Sequence, residues 1–152
     1  MKKFILGLFL ILGAVSFAAP KFVDMAKVKN AGYVIKNERE DILTMAISDD
    51  DSAIIISFST ANISSKEISD LLKSNALRNS ENFIATLDNN RAYVNEFEAQ
   101  GFYSYIIVPK KEKVKNQHTY ATYVSSKKIS KNDLSKITDA ILDDASLLTI
   151  QK

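Results

Sequence analysis

The 152-residue chain has no cysteine, a single histidine, two prolines and four glycines. Without cysteine it forms no disulfide, takes no lipid on a cysteine and uses no thiol nucleophile. The core alone must stabilise it. Two glycines, Gly7 and Gly13, fall in the first 18 residues; the others, Gly32 and Gly101, are far apart. No glycine-rich phosphate loop can be built from them. One histidine excludes a zinc site of several histidines. A Ser-His-Asp triad would need His118, and no G-x-S-x-G turn accompanies it. His118 opens a strand after a lysine-rich loop and reads as an exposed surface residue. No enzyme activity, cofactor or metal is therefore expected.

What the chain does have begins at its N-terminus. Lys2 and Lys3 precede an apolar run over residues 4–17, and Ser16 and Ala18 take the small-residue −3 and −1 positions. This is the pattern of a secretory signal peptide, residues 1–18, cleaved after Ala18. The run is short of the roughly 20 residues of a membrane span, so no stable transmembrane span is expected after cleavage. Export to the periplasm or the exterior is expected. Cleavage removes Lys2 and Lys3 and leaves 18 basic against 18 acidic residues. A neutral exported chain is not matched to nucleic acid. Residues 19–152 read as one domain, long enough to bury roughly two-thirds of its unfolded surface.

Residues 21–31 place Phe22, Met25 and Ala26 at helical spacing, with Gly32 suited to follow the C-cap. A strand begins at residues 33–35. Residues 42–48 and 53–59 alternate, and a turn over 49–52 sets Leu43 opposite Phe58, Met45 opposite Ile56 and Ile47 opposite Ile54. Ser64 and Glu67 form a capping box flanked by the staple Ile63 and Ile68. Ser130 and Asp133, with Ile129 and Leu134, repeat that device before the stripe Leu134, Ile137, Ile141, Ala145 and Leu148. Between the two helices, residues 82–97 read as a hairpin turning at 88–91. A second turn at 98–101 pairs Phe97 with Phe102 and Tyr93 with Ile106. Strands over 102–108 and 118–125 follow. The expectation is an α+β fold: an antiparallel sheet of about seven strands with helices packed on one face, in the order α-βββ-α-ββββ-α.

The segment from Ala31-Gly32-Tyr33 through the 42–59 hairpin to "LLKSNALRNSENFIATLDNNRAYVNEFEAQG" resembles the YbjN-like family. The likeness covers residues 22 to about 108. That family's fold resembles type III secretion chaperones and has no known catalytic residues, so the resemblance implies a chaperone-like α+β fold. The signal peptide and the strand at 118–125 depart from the family and put its cytoplasmic roles in doubt.

Asp49, Asp50 and Asp51 resemble a calcium loop in charge alone. They lack alternating ligands, a central glycine and a twelfth-position glutamate. They read as a turn, because aspartate bonds nearby amides. The segment from Asp88 fails the same pattern, with Arg91 inside it.

The most distinctive surface segment carries Lys110, Lys111, Lys113 and Lys115 against Glu112, bordered by strands holding Tyr103, Tyr105, Tyr120 and Tyr123. Tyrosine beside lysine suits an anionic envelope component or an acidic protein strand; a solvated hairpin loop is the alternative. Ile55, opposite Ala46 on the outward face, is expected to mark an exposed apolar patch. The leading functional expectation is a non-catalytic exported binding, assembly or chaperone-like module whose partner is another envelope protein or an anionic component. A small cell-envelope hydrolase with paired carboxylates about 5–10 Å apart is the alternative. A homodimer formed through the sheet edge is a third expectation.

Overall fold

The computed structural model describes residues 19–150; the expected signal peptide lies outside the described residues. The elements are α1 (Met25–Asn30), β1 (Val34–Arg39), β2 (Ile42–Ser48), β3 (Ser52–Thr60), α2 (Ser65–Arg78), β4 (Asn82–Leu87), β5 (Ala92–Ala99), β6 (Phe102–Pro109), β7 (Gln117–Ser125) and α3 (Lys131–Leu147). The seven strands form one antiparallel sheet in the order β1-β2-β3-β7-β6-β5-β4. The chain builds three strands from one edge to the middle. It then crosses through α2 to the far edge and returns inward until β7 closes on β3. The α+β class and the element order are as expected.

Placement of the helices differs from the expectation. α1 and α3 share one face, where Val28, Leu134, Ile141, Leu142 and Ala145 pack on Leu43, Met45, Ile56, Phe58, Tyr105 and Ile107. α2 lies on the other, with Ile68 and Ala76 against Phe97, Ile106 and Val108. The reason is in β6. Residues 105–108 are buried without a break, so their side chains point alternately to both faces and both faces need a cover.

Local chemistry places each helix. Asp24 caps α1 by accepting from Lys27 N, and Gly32 follows its C-cap at a positive φ of 79°. α1 is shorter than expected: Phe22 precedes it and meets Phe58 edge to face at 6.0 Å. At α2 the capping box is complete: Glu67 N donates to Ser64 Oγ at 3.2 Å, and Ser64 N donates to Glu67 Oε2 at 2.7 Å. At α3, Asp133 N donates to Ser130 Oγ, while the shorter Asp133 carboxylate takes the Ser130 hydroxyl.

The β2–β3 register matches the expected one, from Leu43 opposite Phe58 to Ser48 opposite Ala53. Asp49 Oδ1 accepts from the backbone N–H of Asp51 at 2.9 Å and of Ser52 at 2.6 Å, as a turn aspartate does. The β5–β6 register is shifted by two residues from the expectation. Phe97 faces Ser104 and Tyr93 faces Val108. The loop is the two-residue turn Gln100-Gly101, both at positive φ, which fits the twist of a tight hairpin better than a four-residue loop.

Candidate functional site

Two concavities open on the face shared by α1 and α3. The larger, about 610 Å³, lies where the ends of α1 and α3 meet the tip of the β2–β3 hairpin. Ile47 and Ile54, which face each other across the hairpin, line it together with Tyr33 and Leu147. Lys27 and Asp144 also line it and add one charge of each sign. Leu147 is 64 % exposed, more than the other exposed large hydrophobic side chains of the described residues. Burial pushes the Tyr33 phenol above its ordinary range, and the Asp144 carboxylate adds to the effect.

The smaller concavity, about 260 Å³, lies between α3 and the β4–β5 turn. Lys131, Leu134, Ser135 and Thr138 of α3 line one side; Leu87, Asp88, Asn89 and Val94 line the other. The turn is held by its own side chain: Asn89 Oδ1 accepts from Arg91 N at 2.8 Å and Ala92 N at 3.0 Å. Asn89 Nδ2 reaches Ser135 Oγ at 3.4 Å. Arg91 is drawn away to Asp143 at 2.7 Å and Asp139 at 3.4 Å on α3, and these bonds hold its guanidinium above its ordinary range. Thr138 is fully buried, and its hydroxyl is the one buried side-chain polar atom among the described residues with no hydrogen-bond partner.

The residues singled out from the sequence are not brought together. Ile55 sits opposite Ala46 as expected, but it is only 8 % exposed, so it marks no exposed patch. Its neighbours in register, Ala46 on β2 and Thr122 on β7, flank it on both sides. Tyr105 is also buried and presents no surface. Its hydroxyl accepts from Ile129 N at 2.8 Å and donates to Glu96 Oε1 at 3.4 Å, which fixes the approach to α3. Burial pushes the Tyr105 phenol up. Lys128 Nζ stands 3.7 Å from the same buried carboxylate oxygen.

Tyr103 and Tyr123 pack partly buried on the α3 side, Tyr123 stacked on Tyr105. Tyr120 lies on the α2 side. Burial raises its phenol, and hydrogen bonds to Ser57 and Ser59 oppose that rise.

The lysines of the β6–β7 loop diverge. Lys113 bonds Ser146 on α3, whereas Lys110 stands 5.8 Å from the Tyr93 ring on the α2 side. Lys111 and Lys115 are exposed. His118, expected on the surface, is 3 % exposed. Its Nε2 donates to Ala61 O at 2.9 Å, and its Nδ1 lies 3.6 Å from Glu112 Oε1. The strand turns this ring inward beneath the loop, so a position next to a charged loop did not mean exposure.

Both concavities escaped sequence reasoning. A signal was present for the smaller one: Lys131, Ser135 and Thr138 recur at four and three residues, a polar row beside the apolar stripe. Each concavity carries one carboxylate, Asp88 or Asp144. No group of three or more metal-ligating side chains occurs among the described residues, and none of their helices is long and apolar enough to cross a membrane. Comparison with protein-family models, curated proteins and solved structures found no match.

Proposed function

We propose that this protein is an exported, non-catalytic binding module that holds apolar side chains of another envelope protein in the groove between the ends of α1 and α3 and the β2–β3 hairpin. The supporting observation is Leu147, a large aliphatic side chain left 64 % exposed in a groove whose walls are Ile47, Ile54 and Tyr33. Apolar centres with polar margins are the usual anatomy of a protein-binding patch; here Lys27 and Asp144 supply the charges. The chaperone-like resemblance agrees with such a role.

The hydrolase reading has less support, because neither concavity holds two carboxylates. Affinity purification of the tagged protein at native level tests the proposal. A discrete copurifying protein should be lost in Leu147→Asp and in Ile47→Asp. Both side chains are exposed, so both variants should keep the fold, which urea denaturation checks. An unchanged set of copurifying proteins in both variants overturns the groove as the binding site.

A further inference from the structure

The smaller concavity has the chemistry of a different ligand. On α3, Lys131, Ser135 and Thr138 lie within two turns along one side of the helix. They bring an ammonium and two hydroxyls to that wall, the Lys131 and Ser135 groups at its surface and the Thr138 hydroxyl buried beneath it. Lys131 makes no ion pair among the described residues, and the Thr138 hydroxyl is buried without a partner. A buried hydroxyl left unpaired is costly, and most such groups find a partner. Three donors on one wall suit a carboxylate.

The opposite wall carries Asp88, which would repel a simple anion. Asp88 is also without an ion pair among the described residues. A ligand bearing both an ammonium and a carboxylate satisfies both walls. Leu87, Val94 and Leu134 leave an apolar surface for its side chain. A volume of about 260 Å³, room for roughly nine waters at roughly 30 Å³ each, is large enough to take one aliphatic amino acid.

We infer that this cleft binds a free α-amino acid as its zwitterion, the carboxylate toward Lys131, Ser135 and Thr138 and the ammonium toward Asp88. This goes beyond the groove reading and shares no residue with it. Calorimetric titration of the purified protein with each of the common amino acids, and with glucose as a neutral polyol, tests it. At least one aliphatic amino acid should bind saturably, with affinity lowered about tenfold or more by Lys131→Ala and by Thr138→Val. Thr138→Val replaces an idle hydroxyl by a methyl of the same shape, so its loss of binding is not a loss of fold. Leu147→Asp should leave the titration unchanged. Three outcomes overturn the inference: no saturable heat from any amino acid at millimolar concentration, binding indifferent to both cleft variants, or heat from glucose alone.

Discussion

Thr138 and His118 show two ways a polar side chain sits in this core. The Thr138 hydroxyl has no partner among the described residues; Thr138→Val should leave the unliganded protein as stable or more stable, by about 1 kcal/mol in urea denaturation. A loss of stability would mean that the hydroxyl is bonded in solution. His118 is bonded on Nε2 to Ala61 O and faces Glu112. Its replacement by alanine removes a buried ring and strands a carbonyl, at a cost of about 2–3 kcal/mol by the same measurement. Asp49 titrates below the ordinary carboxylate range because the Asp51 and Ser52 amides donate to it. A carboxylate held low in the folded chain adds stability above its unfolded pKa, about 4. That stability is lost as the pH falls toward the folded value. Asp49→Asn should therefore flatten the loss of stability below about pH 4, read as denaturation midpoints across an acid series. An acid profile parallel to that of the unaltered chain would contradict this. Burial was hardest to read for residues like these. Alternation placed Ile55 on its face correctly, but whether that face meets water depends on neighbours that are distant in sequence.

At the scale of elements, caps and one hairpin were legible, and one register was not. Ser64 with Glu67 and Ser130 with Asp133 are local devices whose partners lie three residues away, so the sequence carries the whole interaction. Glu67→Ala should cost more than Asp133→Ala, by up to about 1 kcal/mol, since only Glu67 returns a bond to the cap backbone. Equal costs for the two substitutions would contradict that difference. The β2–β3 register was legible because a slip by one residue would turn Leu43, Met45, Ile56 and Phe58 away from the core. A slip by two keeps every side chain on its face, so the pattern of β5 and β6 could not separate the two alternatives. The turn decides it. Gly101 sits at φ 83°, a region that disfavours side chains, and Gly101→Ala should lower stability by about 1 kcal/mol. A neutral result would point back to the longer loop.

At the scale of the molecule, the sheet is covered on opposite faces by α2 and by α1 with α3, and its two edges are guarded. β1 carries an irregularity between Ile35 and Asn37, and β4 one between Phe83 and Ala85. Bulges on outer strands disfavour pairing with another sheet, which works against a homodimer through the edge and turns attention to the faces. Neither concavity was legible, because each is assembled from segments far apart in sequence: α1, the β2–β3 hairpin and α3 for one, the β4–β5 turn and α3 for the other. The groove at Leu147 is the feature on which the proposed binding depends. Photo-crosslinking in the native cell, from a reactive residue placed at 147 and, as a control, at Arg78 on α2 across the sheet, tests it directly. A discrete adduct from position 147 and none from position 78 is the predicted result. No adduct from 147, or the same adducts from both positions, would contradict the account.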